Sequence, residues 1–371
     1  MRVLFINVQC GRGSHGRIVA VQAEKFERQG HEVKIAYSRD PDMPDKYKKY
    51  AIRIGSTADI YVHALLTRLT DRNGFFSCGS TKRFLEWAND YNPDLLWLHN
   101  IHGYYINIEM LFCWIKSRPN MKVFWTLHDC WSFTGHCAYF TFVGCEKWRT
   151  HCGNCPQKNA YPASFVDGSY KNYENKRRIF TGVKDMTLIT PSQWLADLVS
   201  QSFLKEYLCK VKHNEIDRNI FRPVTGDFCE KYGTAGRKIV LGVANRWEPR
   251  KGIGDFVKLS AILNPERFVI VIVGLKHDWL PDSIIYISRT SNQHELAEIY
   301  TSADVLFNPT YEDNYPTVNL EAEACGTPVV TYDTGGSPET VRREDSHVIK
   351  CGDLVSAKRY IEQICEGGDK E

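Results

Sequence analysis

The chain predicts an α/β protein of two doubly wound domains, and three observations carry that expectation. Short apolar runs rich in β-branched and aromatic residues alternate with longer stretches of helical period. At 371 residues the chain is longer than one hydrophobic core usually organises. The formal charge of +3 also hides a break along the chain. Residues 1–223 carry 31 Lys+Arg against 21 Asp+Glu, a net +10, whereas residues 224–371 carry 16 against 23, a net −7.

The first strand is expected at residues 2–8, Arg-Val-Leu-Phe-Ile-Asn-Val, an apolar run at the very start. The same pattern, bounded by Gly, Pro or polar residues, recurs at 32–37, 95–99, 122–127 and 187–190. It returns at 238–243, 268–273, 283–287, 304–307 and 328–332. Spacers of helical period make these βαβ units, hence parallel sheets with ligands at the strands' carboxyl ends. Periodicity lapses at 224–236, around Gly226, Gly233 and Gly236, where the charge also changes sign. This is the expected linker between a domain of residues 1–223 and one of residues 237–371, with a ligand cleft between them.

Composition excludes several classes. With 43% hydrophobic and 25% charged residues, the chain is neither disordered nor collagen-like. No apolar stretch is long enough for a membrane-spanning helix. The amino terminus opens directly as a strand, so a secretory signal is not expected and a cytoplasmic location is. The basic first half implies an anionic partner. Lys46-Tyr47-Lys48-Lys49-Tyr50 and Lys176-Arg177-Arg178-Ile179-Phe180 suit an anionic lipid surface or, equally, solvated helix faces. No nucleic-acid partner is expected.

Five of the thirteen cysteines fall at Cys130, Cys137, Cys145, Cys152 and Cys155. The last four read C-x7-C-x6-C-x2-C, a spacing that permits a structural zinc site of four thiolates. Free thiols and disulfides remain open, and a cytoplasmic setting disfavours the latter.

Gly11-Arg12-Gly13-Ser14-His15-Gly16 follows the first strand as G-x-G-x-x-G, where Gly13 and Gly16 allow a phosphate close to a helix start. With Ser38-Arg39-Asp40 ending the second strand, an NADP-type dinucleotide site is one reading. Asp40-Pro41-Asp42 matches a D-x-D pair, but its polar, Pro-rich setting reads as turn chemistry. In the second half, Asn245-Arg246-Trp247-Glu248-Pro249-Arg250-Lys251-Gly252 places three cations at a strand's carboxyl end, a natural diphosphate clamp. Further on, Glu312-Asp313-Asn314-Tyr315-Pro316 precedes a helix that carries Glu321 and closes at Gly326. Free N–H groups at that helix start, flanked by carboxylates, can hold phosphate and sugar hydroxyls together. Thr334-Gly335-Gly336-Ser337-Pro338-Glu339 supplies a second glycine turn. In the first half, Thr126-Leu127-His128-Asp129 and Leu98-His99-Asn100-Ile101-His102 end neighbouring strands.

Together these motifs resemble those of the retaining nucleotide-sugar glycosyltransferases of glycosyltransferase family 4, with the GT-B architecture of two Rossmann-like domains. The resemblance runs from the glycine loop to about Asp353, nearest to the capsule and exopolysaccharide branch. It implies that Arg246 and Lys251 hold the donor diphosphate and that Glu321, second acid of an E-x7-E motif, binds the ribose. Asn314, Tyr315, Gly335, Gly336 and Glu339 would line the donor, with Gly13 and Gly16 on the glycine loop. His128 would stand at the transferred sugar, and His99 and His102 on the acceptor side. His213-Asn214-Glu215-Ile216-Asp217 resembles the family's P-N-G-I-D segment without its Pro and Gly. Counting back from Glu321 reaches Asp313 rather than Glu312, so either could be the donor-sugar acid. A helix crossing back to the first domain, usual in the family, would lie beyond Tyr360 to Cys365, close to the end of this chain.

The implied activity is transfer of a sugar from a UDP- or GDP-type donor to a glycan or lipid-linked acceptor in surface polysaccharide synthesis. It needs no catalytic cofactor and places the protein in the cytoplasm or peripherally on the inner membrane face. Two alternatives remain: an NADP-dependent oxidoreductase using the glycine loop, and a non-catalytic sugar-binding or scaffold protein.

Overall fold

A computed structural model describes residues 1–39, 43–274, 280–288, 290 and 292–367. The Asp40-Pro41-Asp42 pair lies outside the described residues. The chain divides into two compact units, Met1–His213 and Asn214–Glu371.

In the first unit, seven strands are described: β1 (Arg2–Ile6), β2 (Glu32–Tyr37), β3 (Ala51–Arg53), β4 (Leu95–Leu98), β5 (Lys122–Thr126), β6 (Met186–Thr190) and β7 (Leu208–Val211). They form one parallel sheet in the order β3-β2-β1-β4-β5-β6-β7. β4 and β6 are buried at every residue, as unbroken apolar runs in a parallel sheet must be. The helices are α1 (Gly13–Arg28), α2 (Thr57–Thr70), α3 (Cys78–Tyr91), α4 (Ile108–Lys116), α5 (Ser169–Phe180) and α6 (Gln193–Ser200). Their starts follow sequence chemistry. Ser56 and Asp59 form a capping box on α2, while Asn107 and Ser192 accept the Met110 and Leu195 N–H groups at α4 and α6.

In the second unit, the described strands are β8 (Lys238–Val243), β9 (Phe268–Val273), β10 (Ile284–Ile287), β11 (Val305–Asn308), β12 (Val329–Tyr332) and β13 (His347–Ile349). Their order is β10-β9-β8-β11-β12-β13, again all parallel. β9, Phe-Val-Ile-Val-Ile-Val, is buried throughout, and each such side chain contributes about 1.5–3 kcal/mol by leaving water. The helices are α7 (Phe228–Tyr232), α8 (Ile253–Ile262), α9 (Gln293–Ser302), α10 (Thr317–Ala324) and α11 (Leu354–Gly367).

All ten expected strands are present. The three additional ones, β3, β7 and β13, are edge strands of three or four residues, partly exposed and too short to read as apolar runs. The division between units falls ten residues ahead of the expected residue 224. The reason is Phe221, which is buried in the second unit's core, together with the Val224 N–H, which donates to Thr301 Oγ1 at 3.3 Å. The expected linker is itself folded: α7 lies inside it and buries Phe228, and Gly233 is its left-handed cap (φ 61°). Gly233 and Gly236 are thus cap and turn residues.

Candidate active site

In each sheet the strand order reverses once, between β1 and β4 in the first unit and between β8 and β11 in the second. Loops leaving such adjacent strands in opposite directions open a crevice at their carboxyl ends. The sequence-predicted residues gather at those two points.

In the second unit, β8 leads through Asn245 to a 3-10 turn, Pro249–Lys251, and then to Gly252 at φ 74°. A Cβ on Gly252 would collide with the Pro309 carbonyl oxygen, so glycine lets this loop lie directly on the loop that follows β11. The Tyr311 N–H donates to the Arg250 carbonyl at 2.7 Å and locks the two loops together. The result is an ion pair between Lys251 Nζ and the Asp313 carboxylate, both about one-fifth exposed. Arg250 is turned elsewhere, to Glu248 Oε2 (3.1 Å) and the Glu312 carbonyl (3.2 Å). Arg246 is exposed.

Asp313 sits where two turns meet. Its Oδ1 accepts the Asn314 N–H at 2.9 Å, and its carbonyl accepts the Gly336 N–H at 3.1 Å. Gly335 (φ 55°) packs so closely that a Cβ there would strike the Asp313 carbonyl oxygen. Of the two candidate acids, the structure therefore places Asp313 at Lys251, while the Glu312 side chain is buried.

Pro316 caps α10 with extended backbone, and its carbonyl accepts the Asn319 N–H at 3.3 Å. Tyr315 accepts from Arg342 Nη2 at 3.2 Å. Glu321 lies one turn into α10, nearly buried, and its Oε2 accepts the Tyr300 hydroxyl at 3.0 Å. Asn319 ties the helix down, bonding Asn308 (2.9 Å) and Thr340 (2.8 Å). Glu339 is half-buried in the 3-10 turn that follows Gly335 and Gly336. The arrangement sets a cation against a carboxylate shortly before a helix start, able to exchange an internal ion pair for a bound phosphate.

In the first unit the glycine loop closes on itself, with the Gly11 N–H bonded to the Gly16 carbonyl at 3.0 Å, and Gly13 (φ 63°) begins α1. Gly16 is buried against Gln9, and a Cβ would stand 3.1 Å from that side chain. This turn delivers His15, whose ring lies 4.2 Å from that of His128. Asn100 Nδ2 donates to His15 Nδ1 at 2.8 Å. His99 Nδ1 and His128 Nε2 share a hydrogen bond of 3.0 Å at the ends of β4 and β5. His102 bridges the Tyr161 hydroxyl (2.9 Å) and Asp129 Oδ2 (3.0 Å). Asp129 Oδ1 also accepts the Trp131 N–H at 2.9 Å. His99, Asn100, His102, His128, Asp129 and Trp131 line a small cavity of about 10 Å³.

Burial pushes the His99 pKa down to about 3, with the neighbouring His15 acting in the same direction. Burial, then the charges of His15 and His99, also holds His128 well below the usual histidine value. Both rings are neutral near pH 7 and act as hydrogen-bonding groups rather than cations. Burial alone would raise the Asp129 pKa, but His102 and the Trp131 N–H outweigh it and hold that carboxyl below its ordinary value.

The structure brings His99, His102 and His128 together and adds His15, Asn100 and Asp129. His15 was legible as a variable position of the glycine motif, had its side chain been weighed along with the glycines. Tyr300, the partner of Glu321, carries no motif signal because it lies on a different helix, α9.

The two basic runs are tied into the fold at several positions. Lys46, Lys48 and Lys49 pair with Glu24, Asp45 and Glu27, while Tyr47 and Tyr50 are buried. In the second run Lys176, Ile179 and Phe180 are buried and Arg178 pairs with Glu109. Exposed apolar surface lies on α2, at Tyr61, Val62, Leu65 and Leu69, with Phe165 beyond its end under Arg68. Among the described residues no helix is long and apolar enough to cross a membrane. All thirteen cysteines are free thiols, so the disulfide alternative is not realised.

The family described as Glycosyl transferases group 1 matches residues 227–371, the unit holding Lys251, Asp313 and Glu321. Over 362 residues the chain is 25% identical to WcaC of Escherichia coli (strain K12), a protein assigned to colanic acid biosynthesis as a glycosyl transferase; the match covers 94% of this chain and 87% of WcaC. The D-inositol 3-phosphate glycosyltransferase of Stackebrandtia nassauensis is 33% identical over 146 residues, 33% of this chain and 32% of that protein. Among solved structures, sucrose-phosphate synthase from Thermosynechococcus elongatus superposes with a TM-score of 0.69 at 16% identity, over 98% of this chain and 90% of that one. Anabaena HepE in complex with UDP-glucose superposes with a TM-score of 0.65 at 14% identity, over 99% and 90%. These likenesses decide the readings that the glycine loop left open in favour of the transferase over the oxidoreductase and the scaffold. The chain is a glycosyltransferase of the GT-B fold, and its residues 227–371 form a group 1 glycosyl transferase domain.

Proposed function

We propose that this enzyme is a retaining transferase of glycosyltransferase family 4 that takes a sugar from a nucleoside diphosphate of UDP or GDP type. It passes the sugar to a glycan or lipid-linked glycan in surface polysaccharide synthesis. The observation that carries this reading is the Lys251–Asp313 pair at the start of α10. A diphosphate arriving there takes over Lys251, gains Arg246 and the helix-start amides, and frees Asp313 for the sugar hydroxyls. Glu321, held by Tyr300, is positioned for the ribose. HepE, similar in fold, is seen in complex with UDP-glucose, and WcaC is assigned to colanic acid biosynthesis.

In the transfer, the bond from the anomeric carbon to the diphosphate oxygen breaks as the acceptor oxygen bonds that carbon from the same face. The acceptor's proton passes to the departing diphosphate. Lys251, Arg246 and the amides stabilise the charge that develops there, the role otherwise given to a metal ion. His128, kept neutral and oriented by His99, hydrogen-bonds the transferred sugar, with His102 towards the acceptor. A thermal-shift series over nucleoside diphosphates and their sugars tests the donor assignment. One base should stand out, stabilising the fold by about 2.7 kcal/mol at a hundredfold excess over Kd. A uniform absence of shift would refute donor binding.

We place the protein in the cytoplasm, peripherally on the membrane. The support is the exposed apolar face of α2, flanked by the exposed cations Arg53, Arg68 and Arg72 in the basic half of the chain. Flotation with vesicles containing anionic lipid should recover the protein and lose it as salt rises. The Leu65→Glu, Leu69→Glu double variant should remain in the soluble fraction while keeping its donor-induced thermal shift. Equal flotation of variant and wild type would dismiss this surface.

A further inference from the structure

Between β5 and α5 the chain runs from residue 127 to residue 168 with only two 3-10 turns, Trp131–Phe133 and Lys147–Arg149. It nevertheless buries Trp131, Phe133, Phe140 and Trp148 in the core. An irregular segment of this length inside a compact domain needs fixation beyond backbone ladders. Four thiols, Cys137, Cys145, Cys152 and Cys155, line one cavity of about 10 Å³, room for a single water-sized or ion-sized body.

The surroundings are built for sulfur. The Gly135 N–H donates to Cys152 Sγ at 3.2 Å, and a Cβ on Gly135 would collide with the Ser169 carbonyl and crowd Cys152. Asn154, left-handed at φ 48°, bends the Cys152-Gly153-Asn154-Cys155 knuckle, and Lys147 Nζ fixes it by donating to the Gly153 and Asn154 carbonyls at 2.9 Å each. Lys176 is fully buried behind the cluster and donates to the Trp131 (2.8 Å) and Thr134 (3.1 Å) carbonyls. Among the described residues it makes no ion pair. A buried ammonium is costly unless negative charge lies nearby, and Asp71, Asp129 and the Cys137 and Cys152 sulfurs are the groups that can supply it.

We propose that Cys137, Cys145, Cys152 and Cys155 bind one structural zinc ion as thiolates. Such a site carries a net charge of about −2, which Lys176 and Lys147 offset. Among the described residues no three His, Cys, Asp or Glu side chains already stand in ligand geometry. Zinc binding releases the four thiol protons to solvent as the sulfurs close on the ion. His136 lines the same cavity with Nε2 unbonded, its Nδ1 paired to Asp71, and is the competing fourth donor.

The test uses the purified full-length protein and does not depend on the donor assignment. Elemental analysis should find about one zinc per chain, and cobalt substitution should give thiolate charge-transfer and tetrahedral d–d bands. Cys145→Ser and Cys155→Ser should each lower the metal ratio about fivefold or more, while His136→Gln keeps it. Should the cysteine variants fail to fold, modification of wild-type thiols with a mercurial should release about one equivalent of zinc to a chromogenic chelator. A folded, metal-free protein whose four thiols react freely with Ellman's reagent would overturn the proposal. Loss of zinc in His136→Gln with retention in Cys145→Ser would overturn the four-thiolate set.

Discussion

Lys251→Ala is expected to lower kcat on the order of 10³-fold while leaving the fold intact. In the proposed reaction the leaving diphosphate gains charge as the glycosidic bond breaks, and removing one preorganised cation or donor from such a site costs about 10²–10³ in rate. Lys251 also holds the Asp313 carboxylate in place before the donor arrives, so the alanine variant leaves a carboxylate facing a diphosphate with nothing between them. Donor affinity should fall with kcat. Stability should not, because the pair is partly solvated and such pairs contribute about 0–1 kcal/mol. Turnover near that of the wild type would end the clamp assignment.

The neighbouring acids sharpen that expectation. Asp313→Asn keeps the shape but loses the charge that positions Lys251 and, in the proposal, the hydroxyl acceptor for the sugar. Its effect should therefore be on transfer. Glu312→Gln changes a buried side chain whose backbone anchors Arg250 and Thr310, so it should alter melting temperature more than donor binding. Equal, mild effects of the two substitutions on transfer would mean that neither acid touches the donor.

The features legible in sequence were those encoded locally. Buried parallel strands such as β8 and β9 announce themselves as continuous β-branched runs, and their bounds matched the expected residues. Gly252 and Gly335 were legible as turn residues, but their reason was not: each lies against a backbone carbonyl far away in sequence. Edge strands such as β13 were illegible because three residues, only one of them buried, leave no period. In the basic runs, charge spacing says nothing about partners. Glu24 and Glu27, more than twenty residues away, neutralise Lys46 and Lys49. The burial of Phe221 in the second unit's core was likewise not legible, since it depends on residues far along the chain.

The histidine cluster carries the second large effect. His128→Ala should reduce kcat on the order of 10²-fold, the lower range for losing a positioned hydrogen-bonding side chain at a reacting centre. The donor-induced thermal shift should survive, because Lys251, Asp313 and Glu321 lie on the other unit. The pH dependence distinguishes this role from that of an ordinary titrating base. Burial disfavours the imidazolium of His128, so the neutral ring persists as pH falls through 6.5 and gains a proton only well below that. The pH–rate profile should therefore show no break near 6.5 that His128→Ala removes, and such a break would refute a neutral role. Stability follows the same sign. The unfolded chain protonates its histidines near 6.5, whereas His99 in the fold does so only at about 3, so the unfolded state binds more protons across that window. Melting temperature should fall as pH drops from about 7 to 5, and His99→Asn should flatten that slope. An unchanged slope would mean that His99 titrates freely and cannot be the buried partner that orients His128.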